Sequence, residues 1–199
     1  GATQTYISGL TQDSLNAAAI IGSFGPVNAS LWYADVSNQL NALSLNVNGK
    51  FSIVSVDLTH STLKLDATGS KTNSLSKLIV SAPVGPVTLT AGYATTDKDG
   101  GLVAFDDDAS ANFQVDQLSL NGTADSDAYL LAVSGTFGDV TASLTYLDGE
   151  INTNTDITET LVKASYPLAK SLKATASYSM AEVANADTDK ASIALEYKF

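Results

Sequence analysis

The sequence predicts an all-β fold, a transmembrane antiparallel up-and-down β-barrel of about twelve strands. Three observations carry that reading. Apolar residues recur singly at every second position through much of the 199-residue chain, which is the period of a strand with two unlike faces. The longest apolar runs, such as Ala17 to Ile21, are far too short to cross a bilayer as a helix, so any crossing is made by strands. Short turn signals near residues 25, 49, 85, 138 and 169 alternate with longer polar connections. A membrane barrel sorts its connections by rim in this way; a soluble β-sandwich has no reason to.

Taken in order, Thr3 to Leu10 is the first strand candidate. Val27, Ala29, Leu31 and Tyr33 alternate after the turn Phe24-Gly25-Pro26. Asn48-Gly49 predicts a tight hairpin turn between Ala42 to Val47 and Phe51 to Leu58. Val87, Leu89, Ala91 and Tyr93 follow the turn Pro83 to Pro86, and Gly138-Asp139 joins Tyr129 to Phe137 with Val140 to Tyr146. Pro167 to Ser171 separates Val162, Ala164, Tyr166 and Leu168 from Leu172, Ala174, Ala176, Tyr178 and Met180. The final run sets Ala191, Ile193, Leu195, Tyr197 and Phe199 against Ser192, Ala194, Glu196 and Lys198. The longer connections fall at residues 34–41, 59–75, 94–127, 148–156 and 182–189. Counting Thr3 to Leu10 gives an even strand number with both termini on the short-turn rim, and closure removes exposed edges.

The polar faces are built mostly of Ser, Thr and Ala, small enough to leave room for water inside a closed barrel. The expected lumen-facing residues are Trp32, Lys77, Lys163, Lys173 and Glu196. Tyr33, Tyr93, Tyr146, Tyr166, Tyr178, Tyr197 and Phe199 fall on the apolar faces near strand ends and are expected to form the aromatic girdles at the lipid headgroups.

Composition excludes several functions. Ten Lys plus Arg against 21 Asp plus Glu give a net charge of −11, and every base is Lys, the opposite of what phosphate binding requires, so nucleic acid is set aside as a partner. With no Cys there are no disulfides and no thiolate metal site. No basic segment with an apolar core opens the sequence, so the chain reads as a mature one without its signal peptide. His60-Ser61 cannot pair as base and nucleophile, because adjacent strand residues face opposite ways. No second His and no Gly-x-Ser-x-Gly elbow exists, so no enzyme and no cofactor are expected, and His60 reads as a loop-end polar residue.

The terminal run Ile193 to Phe199, Leu31-Trp-Tyr-Ala-Asp35, Tyr93-Ala-Thr-Thr-Asp-Lys-Asp-Gly-Gly101 and Asp127-Ala-Tyr129 together resemble the C-terminal half of the major porins of Campylobacter and, more loosely, OprD-type porins. That resemblance implies a bacterial outer-membrane location and a water-filled channel for passive diffusion of small polar solutes. Such porins have sixteen or eighteen strands and about twice this length, so residues 1–199 are either a smaller single barrel domain or the C-terminal strands of a larger one. The chain has no Arg, and hence no counterpart of the basic ladder that OprD-type channels use for carboxylates. The implied partners are outer-membrane lipids, lipopolysaccharide, small ions and solutes, with a homotrimer left open.

The long connection 94–127 carries Asp97, Asp99, Asp106, Asp107, Asp108 and Asp116 with only Lys98 opposing them. Folded into the lumen, these carboxylates would form a constriction that concentrates cations; left outside, they are a solvated surface loop. Neither Asp97-Lys-Asp99-Gly100 nor Asp106 to Asp108 has the spacing of a calcium loop, so no metal site is expected. Two functions remain: a cation-preferring diffusion porin, or a structural or adhesive barrel whose lumen is closed by its own side chains.

Overall fold

The computed structural model describes residues 14–104 and 111–198. Eleven strands follow one another as an antiparallel meander: β1 (Leu15–Phe24), β2 (Val27–Val36), β3 (Leu40–Phe51), β4 (Val54–Leu65), β5 (Thr72–Val84), β6 (Val87–Thr96), β7 (Asp127–Phe137), β8 (Val140–Ile151), β9 (Thr155–Ala169), β10 (Leu172–Val183) and β11 (Ala186–Tyr197). Each strand pairs with its sequence neighbours, and β1 and β11 have one partner each among the described residues. The described sheet is thus an open section of wall. Thr3 to Leu10 and Phe199 lie outside the described residues.

On one rim every connection is a two-residue turn, at Gly25-Pro26, Ser52-Ile53, Gly85-Pro86, Gly138-Asp139 and Lys170-Ser171. Three of these turns open on a glycine with φ between +60° and +63°, a conformation other residues adopt only at a cost. The opposite connections span 37–39, 66–71, 97–126, 152–154 and 184–185. Apart from 97–126 they are much shorter than their polar composition suggests, because the polar segments are strand ends. β9 alone has 15 residues; at about 3.3 Å per residue it reaches roughly 50 Å, well beyond a hydrocarbon core of about 30 Å even when tilted. The surplus projects into water and has no reason to be apolar.

The Asn48-Gly49 turn is corrected. These residues sit inside β3, with Gly49 paired to Val27 and Val56, and the chain reverses at Ser52, whose φ is +59°. Asn48 joins an inner-face ladder instead, donating to Asn46 Oδ1 at 2.7 Å and accepting from Asn28 at 3.3 Å. Gly49 is needed for close approach: a Cβ there would lie 2.9 Å from the Pro26 carbonyl oxygen.

The sheet has two chemically distinct faces. Leu31 and Tyr33, Leu43 and Leu45, Leu58, Leu78, Leu89 and Tyr93, Tyr129 and Leu131, Leu144 and Tyr146, Val162 and Tyr166, Tyr178, Ile193, Leu195 and Tyr197 all point to one side, and all are exposed. Cross-strand register keeps them together, as in Leu31 with Leu45, Leu78 with Tyr93, and Val162 with Tyr178. Exposed leucine and isoleucine over a whole face is the composition of a lipid-facing surface. No helix among the described residues is long and apolar enough to cross a membrane; the strands of a β-barrel make the crossing, with their backbone groups paired in the ladder.

Aromatic residues border that face at both rims. Toward the long-loop rim stand Tyr33, Tyr93, Tyr129, Tyr146 and Tyr178. The hydroxyls of Tyr146 and Tyr178 donate to Asp148 at 3.0 Å and Asp189 at 2.8 Å, just beyond the apolar belt. Tyr93 and Tyr129 are register partners with ring centroids 4.9 Å apart. Toward the short-turn rim stand Tyr166 and Tyr197, joined by Phe24, Phe51 and Phe137. Each of these three rings lies 3.1–3.2 Å from where a Cβ would sit on the glycine two residues earlier (Gly22, Gly49 and Gly135). The repeated Gly-x-Phe lets the ring approach the strand closely.

His60 is corrected from a loop-end residue to the interior of β4, on the lipid-facing side, where its Nδ1 is 2.8 Å from Ser76 Oγ on β5. Ser61 points the opposite way, is buried and bonds Ser44 at 2.8 Å, so the two cannot work together.

Candidate functional site

The inner face joins small hydroxyl side chains across neighbouring strands: Ser44 with Ser61, Ser165 with Thr175, Ser177 with Ser192, and Thr136 with Thr141. Trp32, Lys77, Lys163, Lys173 and Glu196 all lie on this face. Trp32 pairs in register with Ala19 and Ser44 and is half exposed. Lys173 and Glu196 form an ion pair at 2.6 Å. By strand alternation Lys50, Lys190 and Lys198 join them, so six of the ten lysines face inward, accompanied on the wall by Asp57, Glu159 and Glu196.

Loop 97–126, in its described residues 97–104 and 111–126, covers the long-loop half of this face. Its base is a bridge between Asp97 and Gly100, after which the chain turns inward. Residues 113–120 form a small hairpin: Leu120 N–H donates to the Phe113 carbonyl at 3.0 Å and Val115 N–H to the Leu118 carbonyl at 3.1 Å. Val103, Phe113 and Leu120 pack with Leu75, Ala94, Ala128, Leu147 and Ile157 of the wall, flanked by Ile79, Leu118 and Leu130. The inner face, expected to be mostly Ser, Thr and Ala, is apolar near this rim because there the wall receives the loop. Gly92 leaves the space for Phe113; a Cβ there would be 2.7 Å from Ile79 Cδ1 and 3.0 Å from the Phe113 ring.

Polar contacts fix the loop at several further points. Asn121 Oδ1 accepts from the N–H groups of Val103 and Ala104 at 3.0 and 3.1 Å. Asn112 Oδ1 accepts from Phe113 N–H at 2.7 Å and Asn121 N–H at 3.1 Å. Lys77 Nζ reaches from β5 to the Asn112 carbonyl at 2.9 Å. At the hairpin tip Asp116 pairs with Lys190 of β11 at 3.0 Å, and Gln117 donates to Ser179 Oγ of β10 at 3.0 Å. Among the described residues no buried side-chain polar atom lacks a partner.

The predicted acidic residues are not gathered into one ring. Asp97 and Asp99 stay exposed at the base of the loop, where Asp99 N–H donates to Asp97 Oδ1 at 2.9 Å. Lys98 is bonded to Asp99 at 3.0 Å, which holds its ammonium above its ordinary value and offsets that carboxylate. Asp116 is carried to the far side, over β11. Asp106, Asp107 and Asp108 lie outside the described residues. Most of the remaining acids stand on the lipid-facing side beyond the tyrosines, among them Asp127, Asp148, Glu150, Asp156, Glu182, Asp187 and Asp189. Glu159, completely buried on the inner face of β9, was not among the sequence candidates; its only signal was to be an acid in phase with Leu161, Lys163 and Ser165.

No protein-family model and no curated protein matches the chain. Solved structures do. OccK1 (OpdK) of Pseudomonas aeruginosa superposes with a TM-score of 0.81 at 18% identity, over 98% of this chain and 59% of that one. OccK3 (OpdO) of the same organism gives 0.77 at 17% identity, over 92% and 56%; OccK9 (OpdG) gives 0.74 at 18%, over 98% and 57%. One OpdK structure was solved with vanillate. The chain spans about three fifths of the length of these proteins. At this identity the likeness is one of fold, and the fold is that of the OprD-type outer-membrane porin barrels.

Proposed function

We propose that this chain forms wall and constriction of an outer-membrane porin, a water-filled channel through which small polar solutes diffuse passively. In this reading residues 1–199 belong to one barrel unit, either a small barrel of its own or part of a larger one, in a membrane of lipid and lipopolysaccharide, with a homotrimer as its proposed assembly. The observation that carries it is the packing of residues 103–104 and 111–121 of this loop on the inner face of a lipid-facing sheet. An inward loop narrows a lumen that hydroxyl-lined strands keep wet. Among the described residues no group of three or more His, Cys, Asp or Glu could hold a metal ion, and the reading requires no catalytic chemistry.

The acids at the loop base, Asp97, Asp99 and Asp125, give the mouth a negative field that favours cations. A second reading has its own observation: the six inward lysines outnumber the wall carboxylates, which suits anionic solutes deeper in the channel and parallels the vanillate found in OpdK. The zero-current potential of the full chain in a planar bilayer under a KCl gradient separates the two. A potential of the sign set by K⁺ movement supports the cation-preferring mouth, and the Cl⁻ sign supports the lysine-lined wall. A folded protein that admits no current overturns both.

A further inference from the structure

We infer that Glu159 is the positioning residue that locks the constriction loop to the barrel wall, through an anion-binding nest of backbone N–H groups at the loop tip. The inference rests on the porin reading for its consequence, but its geometry is independent of it. Glu159 Oε1 accepts from the N–H groups of Asp116 at 3.1 Å and Gln117 at 3.0 Å and from Ser179 Oγ at 2.5 Å; Oε2 accepts from Gln117 N–H at 3.2 Å and Leu118 N–H at 2.9 Å. Three successive backbone donors thus converge on one carboxylate, the arrangement by which turns bind anions.

Every partner of Glu159 is a donor, so the site calls for an acceptor at both oxygens. A buried carboxylate is costly unless its lone pairs are filled, and here the loop fills them. The same desolvation makes an undocked Glu159 unfavourable only to the extent that water cannot reach it, so the lock holds the loop without trapping it permanently. Its neighbours reinforce it: Gln117 Nε2 also donates to the Thr188 carbonyl at 3.1 Å, and Asp116 meets the half-exposed Lys190. The tip is thereby tied to β9, β10 and β11, three to five strands away from β6 where the loop begins, or roughly 14 to 24 Å across the sheet at about 4.8 Å per strand. The wall carries the anion and the loop carries the nest, so deleting the side chain should leave a vacant anion site between them.

The test uses the full chain with Glu159→Ala, read by single-channel recording and by the reactivity of a thiol placed at Leu120→Cys. The wild-type chain has no cysteine, and Leu120 is completely buried when the loop is docked. Losing hydrogen bonds to a charged acceptor should raise the undocked-to-docked ratio by roughly tenfold or more, seen as noisier, larger currents and faster thiol labelling. Millimolar formate, a free carboxylate able to enter the nest, should restore slow labelling and quiet currents, whereas formamide should not. Should Glu159→Ala prevent folding, Ser179→Ala removes one donor while keeping the acid and is expected to give a smaller increase in labelling; no increase there overturns the lock. Labelling of Leu120→Cys that is unchanged by Glu159→Ala, or accelerated but indifferent to formate, overturns it as well. If the parent carries no current yet labelling responds as described, the lock stands and the porin reading fails.

Discussion

Replacing Phe113 by Ala should undock the loop without unfolding the wall. Phe113 is 3% exposed and lies among Leu75, Ala94 and Leu120 over the gap left by Gly92. Truncating a buried Phe costs about 3 to 5 kcal/mol in a close-packed core. The lower end applies here, because a loop lining a wet lumen lets water refill part of the space. About 3 kcal/mol corresponds to roughly a 150-fold change in the docked-to-undocked ratio. Amide hydrogen exchange of the chain in detergent reads this directly. The Leu120 and Leu118 amides, bonded to the Phe113 carbonyl and to Glu159 when docked, should lose protection by about that factor, while ladder amides of β4 and β5 keep theirs. Unchanged protection at Leu118 and Leu120 would refute the apolar anchor. Equal loss throughout the strands would show that the loop and wall unfold as one unit.

Spin labels at Leu195 and Glu196 should respond oppositely to lipid-soluble and water-soluble quenchers, since the two residues occupy opposite faces of β11; equal responses contradict the assigned faces. Changing Asp106, Asp107 and Asp108 together to Asn should move the reversal potential of the channel toward non-selectivity at low salt with little change in conductance. The effect should fade as the screening length falls below about 10 Å, and a triple variant with the parent's low-salt selectivity removes these carboxylates from the permeation path.

The period of two was enough to divide the strand residues between two faces. Leu195 and Glu196, Tyr178 and Ser177, and Leu31 and Trp32 all lie as alternation dictates, because a lipid-facing strand has no freedom to slip by one residue without burying charge in hydrocarbon. Turn chemistry was read correctly at Gly25, Gly85 and Gly138. It misled at Asn48-Gly49, where cross-strand bonding of Asn28, Asn48 and Asn46 and the close approach of Pro26 outweigh the local turn preference. Strand ends were misplaced because projecting strands and loops share the same polar composition. The aspartates mark the loop in the sequence, yet its position is set by Val103, Phe113 and Leu120 and by Glu159, more than forty residues away from the loop tip in sequence. A contact of that separation leaves no local periodicity to detect.

Conductance in a planar bilayer tests the central claim most directly. The purified full chain, folded and resistant to heat in detergent, is predicted to enter the membrane in discrete steps, each with an ohmic current that persists at low voltage, and to pass small neutral sugars into liposomes. Stable insertion of the folded barrel with no current and no sugar entry would contradict the account and leave a barrel closed by its own side chains.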